Sequence, residues 1–519
     1  MSDGERTNRR KDSESIYRNV IHEKFKPSID RNICIRCKRC VKECSFGALE
    51  SDDDGNIRYK GNCVACQRCV ATCPVKAIDI VHLPTQYPPH ASYTERVRQA
   101  ITAQATSGGV LLSSCGTDMP YGMIFDDLIL DSAQVTNPSI DPLREEVETR
   151  TYVGHRTGKI TLSSDGYITG SDSVGPIVAM AMPLMIGHIS LGAISYNTQL
   201  ALLKAAKNLD ILAGSGEGGL HADFNPFADH VVSEVASGRF GVTADYLQRT
   251  AAVEIKIGQG AKPGVGGHLP GEKVTDLISS SRRIPLGTDA LSPYPHHDIY
   301  SIEDLQQLIA ALKESTEHRV PVGVKIAAVH NVGAIASGVV RAGADFITLD
   351  GFRGGTGSSP RVIRDHAGLP IEVATAVVDK RLTAEGLRNR ITLIAGGSIR
   401  SSADMIKAIA LGADVASVCT SALIAMGCQV CQSCHRGVCA WGITTQRPDL
   451  VSRLDPDIGA ARVTRLYTAW NEELKEMLGA MGIDSVESLV GNRDRLRYFG
   501  PNPKIAEIMG VKHVGEGWG

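Results

Sequence analysis

The chain has 519 residues, enough for three or four domains with a large core. Its 55 lysines and arginines nearly balance its 57 aspartates and glutamates, so no field of one sign favours nucleic acid or an anionic membrane as a partner. No apolar run approaches the roughly 20 residues that span a bilayer, and the polar arm 1–29 lacks the apolar core of a signal peptide. Composition therefore predicts a cytoplasmic enzyme that binds neither nucleic acid nor a membrane.

The cysteines are clustered. Thirteen of the fourteen lie in or beside three clusters, and Cys115 stands alone in the sequence. A secreted disulfide framework would scatter its cysteines more evenly, so this pattern favours metal ligation in a reducing compartment. We expect Cys115 to be structural and the clustered cysteines to be ligands.

The region 30–82 repeats itself. The segments "CIRCKRCVKECSFGAL" (34–49) and "CVACQRCVATCPVKAI" (63–78) share the spacing C-x2-C-x2-C-x3-C, although Ser45 follows the first run where Pro74 follows the second. This spacing is typical of bacterial two-cluster ferredoxins, in which the fourth cysteine of each run ligates the other cluster; zinc is the less favoured reading. We therefore expect two [4Fe-4S] clusters, one held by Cys34, Cys37, Cys40 and Cys73 and the other by Cys63, Cys66, Cys69 and Cys44.

A linker and barrel-flanking segment, 83–174, leads to a region of alternating strand and helix patterns at 175–447. Eight short apolar runs predict strands, and Ser301 with Asp304 predicts a capping box ahead of a helix. Eight such units in roughly 250 residues indicate an α/β fold of the (β/α)8 TIM-barrel type, with a doubly wound sheet as the alternative. The pattern in 448–519 predicts a helical cap. The predicted strands are 177–186, 210–215, 253–258, 284–292, 320–328, 345–350, 391–397 and 414–419.

Three glycine-rich loops, at 214–219, 351–359 and 395–398, follow predicted strands. The active site of such a barrel is built from these loops, and phosphate commonly binds after the last two strands. Gly396 and Gly397, together with Thr420 and Ser421, are placed for a phosphate group. No G-x-G-x-x-G motif supports a nicotinamide domain. A cofactor beside iron–sulfur clusters must exchange one electron with iron and two with an organic substrate, which favours a flavin.

Several longer motifs carry a family resemblance. The segments "SGRFGVTADYL", "QGAKPG", "LPGEKV", "SPYPHHDIYSIEDLQQLI", "GGTGSSP" and "TSALIAMGC" resemble the synthase domain of glutamate synthase over residues 180–500. With the ferredoxin-like run in front of it, the chain is similar to the archaeal-type glutamate synthase large chain.

The resemblance implies an oxidoreductase acting on CH–NH2 groups that uses FMN, iron–sulfur clusters and 2-oxoglutarate. A dicarboxylate substrate suits a lysine and an arginine. The implied FMN contacts are Ser190, Gly192, Gln259, Lys325, Gly355, Gly396 and Gly397. The implied 2-oxoglutarate contacts are Glu217, Lys262 and Arg282.

The loop "GCQVCQSCHRGVC" (427–439) follows the last predicted strand. Cys428, Cys434 and Cys439 match the family's C-x5-C-x4-C pattern, which implies a [3Fe-4S] cluster beside FMN. Cys431 is an addition that would complete a [4Fe-4S] cluster instead. Val265 and His268 also depart from the family's "AKPGEGGQLPG", and His268 stands where a polar substrate contact is expected.

The resemblance implies that electrons pass through the clusters to FMN, which reduces 2-iminoglutarate, formed from 2-oxoglutarate and ammonia, to L-glutamate. No cysteine precedes Cys34 as a glutaminase nucleophile, so we expect ammonia from a separate glutaminase-type subunit or from solution. The electron donor is expected to be an NAD(P)H-oxidising flavoprotein subunit or a ferredoxin. Two alternatives stay open: an N-methylglutamate synthase using methylamine, and an electron-transfer subunit of a larger complex.

Overall fold

The computed structural model describes residues 22–133, 138–155, 160–171 and 175–516. The first unit is a small two-layer domain with a duplicated plan. Each half has a short helix entered through a left-handed residue, Lys38 or Gln67. Its core is formed by buried Cys40, Cys69 and a few aliphatic side chains. Its strands are Phe25–Ile29 with Ile78–His82 and Leu49–Ser51 with Ile57–Tyr59, both pairs antiparallel, and its helices are Arg39–Glu43 and Arg68–Thr72.

The segment after this domain wraps around the larger unit and pairs with distant parts of the chain. Leu112–Ser113 is antiparallel to Ser359–Pro360, and Leu128–Leu130 is antiparallel to Leu496–Tyr498. These pairings fix residues near position 115 beside a loop some 240 positions away. The other elements of this segment are the helix Glu95–Ser107, the 3-10 turn Ile124–Asp127, and the strands Thr151–Gly154, Ile160–Leu162 and Ile168–Ser171.

The centre of the molecule is a closed barrel of eight parallel strands. The last strand pairs with the first, with Val418 opposite Ile186, so the sheet has no free edge. This closure confirms the predicted (β/α)8 barrel and excludes the doubly wound sheet. The barrel strands, in order, are Leu184–Ile186, Ala213–Gly214, Val231–Val235, Ala252–Lys256, Val322–Ala327, Phe346–Asp350, Thr392–Gly396 and Val415–Val418.

Two of the predicted strands need correction. The run 284–292 is not a barrel strand: only Ala290–Leu291 is extended, and it pairs with His268–Leu269 in an excursion outside the barrel. The third barrel strand is Val231–Val235, which was missed because Ser233 and Glu234 interrupt its apolar character while pointing into buried space. The run 177–186 divides in two, and Ile177–Met180 pairs with Thr151–Gly154 instead of joining the barrel.

Helices cover the barrel. The predicted capping box is confirmed: the Asp304 amide donates to the Ser301 hydroxyl at 3.2 Å, and the Ser301 amide donates to the Asp304 carboxylate at 3.0 Å. No helix in the described ranges is both long and apolar enough to cross a bilayer. The α-helices are Tyr196–Leu209, Ala244–Arg249, Asp276–Arg282, Ile302–Ser315, Val332–Arg341, Arg361–His366, Ile371–Ala384, Ser402–Ala410, Thr420–Ala425, Pro448–Val451, Pro456–Ala480 and Pro503–Met509.

The remaining elements are short. The helix Pro456–Ala480 packs along Tyr196–Leu209 and closes one side of the core. A final strand, Lys512–His513, pairs with Leu496–Tyr498. The 3-10 turns are Ala222–His230, Gly271–Lys273, Arg388–Arg390, Cys434–Arg436, Glu487–Leu489 and Arg493–Arg495.

Candidate active site

A cavity of about 970 Å³ lies at the carboxyl ends of the barrel strands, where barrel enzymes place their active sites. It brings together residues from the first six strands and the eighth strand or from the loops after them. The predicted residues that line it are Ser190, Glu217, Gln259, Lys262, Arg282, Lys325, Gly355 and Thr420. His268 lines it as well.

Four predicted residues, all within the described ranges, lie outside the lining of this cavity: Gly192, Gly396, Gly397 and Ser421. Gly192 is a packing position, since a Cβ there would lie 2.8 Å from the Leu269 side chain. Gly397 has a φ of +123°, and a Cβ on it would lie 2.8 Å from the Gly351 amide nitrogen. These glycines shape the loops around the cavity by allowing close approach of the backbone.

Two buried cations face the cavity, each with 2% of its surface exposed: Lys262 and Arg282. Lys262 Nζ donates to the Ser358 carbonyl at 3.1 Å, and Arg282 Nη2 donates to Ser190 Oγ at 3.2 Å and to the Leu191 carbonyl at 3.3 Å. Arg282 Nε has no hydrogen-bond partner among the described residues. Burial lowers the pKa of Lys262 to about 8 and also lowers the pKa of Arg282. Cations held against neutral oxygens in this way favour an anionic ligand.

Beneath these cations is a charged network of which the sequence analysis found only Glu217 and Lys325. Lys256 Nζ lies 3.2 Å from Glu217 Oε2 and 3.3 Å from Glu234 Oε1, and Lys325 Nζ lies 3.6 Å from Glu234 Oε2. His188 contacts Glu234 at 3.3 Å and Glu254 at 3.1 Å. Burial raises the pKa of Glu234, but Lys256, His188 and Lys325 outweigh it and lower that pKa to about 2.

This network contains a possible ligand set for a metal ion, since ligand atoms of His188, Glu234 and Glu254 lie within 4.8 Å of one another. Lys256 and Lys325 already balance the charge of the Glu234 carboxylate. Two fixed ammonium groups at that distance oppose a divalent cation. The cluster is therefore best described as an ion-pair network that holds Lys325 and Glu217 at the cavity.

A second cavity, of about 460 Å³, adjoins the first. All four cysteines of the 428–439 loop line it: Cys428, Cys431, Cys434 and Cys439. Leu423, Cys434 and Thr444 line both cavities, so they form the wall between them.

A third cavity, of about 340 Å³, lies inside the N-terminal domain and is lined by Cys44, Cys63, Cys66 and Cys69. This is the set that the crossover pattern predicts for one cluster. Phe46 and Cys66 also line the second cavity. The three cavities therefore form a continuous row from the N-terminal domain to the barrel.

The other predicted set lies at the surface end of this domain. Cys37 is exposed and Cys40 is buried. Burial raises the pKa of the Cys40 thiol, and the neighbouring Cys34 and Cys37 raise it further, which places these three side chains together.

The comparisons with known proteins agree with this arrangement. A model described as the conserved region in glutamate synthase matches residues 120–484, and a 4Fe-4S dicluster domain matches residues 33–78. A protein of Thermotoga neapolitana named archaeal-type glutamate synthase [NADPH] is 54% identical over 489 residues, which cover 93% of this chain and 96% of that one. The chain belongs to the glutamate synthase family. It is an oxidoreductase of the class acting on CH–NH2 groups, with a 4Fe-4S ferredoxin-type domain in front of its barrel.

Two further relatives show how far the match extends. The archaeal glutamate synthase [NADPH] of Methanocaldococcus jannaschii is 52% identical over 502 residues, covering 95% of this chain and 98% of that one. The glutamate synthase [NADPH] large chain of Azospirillum brasilense is 38% identical over 354 residues, which are 65% of this chain and 23% of that much longer one.

In this member of the family the ferredoxin-type domain is held against the barrel by specific contacts. Ser45 Oγ donates to the Val438 carbonyl at 2.6 Å, so the serine that replaces proline after Cys44 binds the cysteine loop of the barrel. Arg453 Nη1 donates to the Glu43 and Ala440 carbonyls at 3.0 and 3.1 Å. These bonds place the third cavity beside the second.

The sequence led us to expect that Cys115 is structural, and the structure places it beside the cysteine loop of the barrel. It is buried, lines the barrel cavity, and its Sγ lies 3.9 Å from Cys434 Sγ. The contact with Cys115 is the first of several that lower the pKa of Cys434, to about 6. No sequence signal links positions 115 and 434, because they are joined only through the fold, by the pairing of Leu112–Ser113 with the loop after the sixth barrel strand and by the hydrogen bond from the His435 amide to Ser114 Oγ.

Proposed function

We propose that this chain is the synthase component of a glutamate synthase, which reduces 2-iminoglutarate, formed from 2-oxoglutarate and ammonia, to L-glutamate. The observation that carries the proposal is the pair of buried cations, Lys262 and Arg282, that face one cavity without an anionic partner on Arg282 Nε. A dicarboxylate supplies the missing acceptors, and the arginine can bind one carboxylate through two parallel hydrogen bonds.

FMN is the cofactor that we assign to the same cavity. The donors there fit an isoalloxazine ring and its side chain: the Gln259 amide, the Ser190 hydroxyl and the Lys325 ammonium group line one space. A Cβ on Gly355 would lie 3.1 Å from Thr420 Oγ1, so glycine leaves room there for a ligand. When bound, FMN supplies both one-electron exchange with iron–sulfur centres and hydride transfer to an organic substrate.

The phosphate end of the cofactor is assigned to the side of Thr420. Thr420 lines the barrel cavity and also a neighbouring open cleft that contains Ser398, Arg400 and Ser421. The cleft supplies hydroxyl groups, which can donate hydrogen bonds to phosphate, whereas the guanidinium of Arg400 is already paired with Asp126 and Asp404. Gly396 and Gly397 support this assignment by forming the turn before Ser398.

Glu217 is assigned to the nitrogen of the substrate. Its carboxylate lines the cavity and is held by Lys256 at 3.2 Å. A carboxylate fixed in this way accepts a hydrogen bond from an imine or an ammonium group. His268 is assigned a contact with the keto acid, where burial lowers its pKa and keeps the imidazole neutral.

The cysteines are assigned to three iron–sulfur clusters. We propose that Cys34, Cys37, Cys40 and Cys73 hold the outer [4Fe-4S] cluster, and that Cys63, Cys66, Cys69 and Cys44 hold the inner one. The second cavity would take a further cluster on Cys428, Cys434 and Cys439. Since Cys431 lines the same cavity, we favour a [4Fe-4S] cluster there over a [3Fe-4S] cluster. Such clusters carry single electrons, and free thiols in these positions fit the reducing cytoplasm.

The proposed role of each segment follows from the order of these cluster and cofactor sites. Residues 30–82 receive electrons, the barrel at 175–447 performs the reduction, and 83–174 and 448–519 support the barrel. Relatives named as NADPH enzymes favour an NADPH-oxidising flavoprotein subunit as the donor, with a ferredoxin as the alternative. Ammonia would come from a separate glutaminase-type subunit or from solution.

Steady-state assays with a reduced low-potential donor test the proposal. We expect L-glutamate from 2-oxoglutarate and ammonia, with FMN and about twelve irons per chain. Preference for methylamine over ammonia would instead favour an N-methylglutamate synthase. Bound, reducible FMN without any amino-acid product would indicate an electron-transfer subunit.

A further inference from the structure

Cys115 has a position that is fixed from several directions. The strand Leu112–Ser113 pairs with Ser359–Pro360, and the Cys115 amide donates to the Thr356 carbonyl at 2.9 Å. The residue has a φ of +56°, a left-handed conformation that a residue with a side chain adopts only where its surroundings enforce it. The backbone pairing and this conformation together hold the thiol in one position.

The thiol meets the cysteine loop from the side of the barrel cavity. Cys115 Sγ lies 3.9 Å from Cys434 Sγ, a distance suited to a hydrogen bond between sulfur atoms. Cys115 lines the barrel cavity, whereas Cys428, Cys431, Cys434 and Cys439 line the second cavity. Cys115 thus contacts two proposed ligands, Cys434 and Cys428, from outside the space assigned to the cluster.

The surroundings of Cys434 are rich in donors. Lys273 Nζ donates to the Cys434 carbonyl at 2.9 Å, and the neighbouring His435 amide donates to Ser114 Oγ at 3.0 Å. Cys434 is also part of the wall between the two cavities. A thiol that contacts this sulfur affects the ligand closest to the proposed flavin.

We propose that Cys115 is a positioning residue whose S–H group donates a hydrogen bond to the Cys434 thiolate and raises the reduction potential of the cluster beside the flavin. Hydrogen bonds to ligand sulfur stabilise the more negative, reduced state of an iron–sulfur cluster. The inference rests on the proposed function, because it requires a cluster on the 428–439 loop. It assigns Cys115 a role in tuning that cluster and leaves ligation to the loop cysteines.

The test is a redox titration of the full-length holoenzyme that is monitored by electron paramagnetic resonance. Iron and acid-labile sulfide are measured on each variant as well. We expect Cys115→Ala to keep the iron content of the wild type and to shift the midpoint potential of the barrel cluster downward. Cys115→Ser retains a hydrogen-bond donor, so its midpoint potential should lie close to that of the wild type. Cys419→Ala removes another thiol at the same cavity, half-buried and without a contact to Cys434 among the described residues, so it should leave this potential unchanged.

Three results would overturn the inference. An unchanged potential in Cys115→Ala, with full iron content, would show that the thiol does not act on the cluster. Loss of iron in both Cys115 variants, but not in Cys431→Ser, would make Cys115 a ligand. If the wild-type protein contained only about eight irons per chain, the barrel would hold no cluster. The proposed electron route would then fail together with the inference.

Discussion

Trp441 and Cys66 join the two halves of the molecule: Trp441 Nε1 donates to the Cys66 carbonyl at 2.8 Å across 375 positions of sequence. Trp441 follows the cysteine loop of the barrel, and Cys66 belongs to the proposed inner cluster of the ferredoxin-type domain. The Arg68 guanidinium lies 5.1 Å from the centre of the Trp441 ring. This contact fixes the spacing between the two cluster cavities.

Trp441→Phe should slow electron transfer between the domains while leaving the iron content unchanged. The substitution removes the hydrogen bond, worth about 1 kcal/mol, and loosens the contact that sets the distance between the cavities. Rapid-mixing measurements of flavin reduction by a low-potential donor would detect the change. The matched control is Trp470→Phe, in the helix Pro456–Ala480 away from this contact. Equal flavin reduction rates in Trp441→Phe and the wild type would contradict the assigned role.

Lys262→Ala should weaken 2-oxoglutarate binding by about 10- to 100-fold, because a charge-assisted hydrogen bond to a carboxylate contributes about 1.5–3 kcal/mol. Titration of the oxidised, FMN-loaded enzyme with 2-oxoglutarate measures this effect directly. Lys313→Ala, on an outer helix, provides the control. Loss of FMN together with the substrate would place Lys262 at the cofactor instead.

The same interaction should depend on pH. Burial lowers the pKa of Lys262 to about 8, so in the free enzyme the ammonium group is charged below this pH and loses its charge as the pH rises through it. Affinity for 2-oxoglutarate should therefore fall above about pH 8, and Lys262→Arg should flatten this fall because arginine stays protonated. A pH series of binding titrations checks this expectation, and a pH-independent affinity in the wild type would refute it.

Glu234→Gln should destabilise the barrel by about 3–5 kcal/mol, because it leaves Lys256, Lys325 and His188 without their shared carboxylate. Thermal or denaturant unfolding measures the loss. The exposed Glu303→Gln should change stability by less than about 0.5 kcal/mol. Similar stabilities of the two variants would show that the buried network is not essential to the fold.

Cys431→Ser should reduce the iron content from about twelve per chain toward eleven or fewer, because Cys431 lines the same cavity as the other three loop cysteines. Iron analysis and electron paramagnetic resonance of the isolated protein distinguish the cluster types. About eleven irons per chain in both the wild type and Cys431→Ser would show that the barrel holds a three-iron cluster that does not use Cys431.

The fold was largely predictable from sequence, because repeated cysteine spacing and regular apolar runs are local signals. Val231–Val235 was missed because a strand inside a functional barrel carries polar residues such as Glu234 where an apolar pattern is expected. The run 284–292 misled for the opposite reason: Leu286 and Leu291 are apolar but exposed, and only Ala290–Leu291 is paired, with His268–Leu269.

The sequence predicted residues of the candidate site only where they lie in a recognisable motif. Lys262 and Arg282 lie in family-like segments and meet in the cavity. Lys256, His188 and Cys115 lack such a signal, because their importance comes from neighbours that are distant in sequence. Gly396 and Gly397 show the reverse case: the motif lies at the end of a barrel strand as predicted, but the glycines do not line the cavity.

The most direct test of the account is a single turnover of the reduced holoenzyme. The chain would be reduced anaerobically, freed of donor, and mixed with 2-oxoglutarate and ¹⁵N-ammonium. The reaction consumes two electrons and two protons and releases one water for each glutamate formed. The account predicts flavin reoxidation with one ¹⁵N-labelled L-glutamate per two electrons. Flavin that stays reduced, with no labelled glutamate, would contradict it.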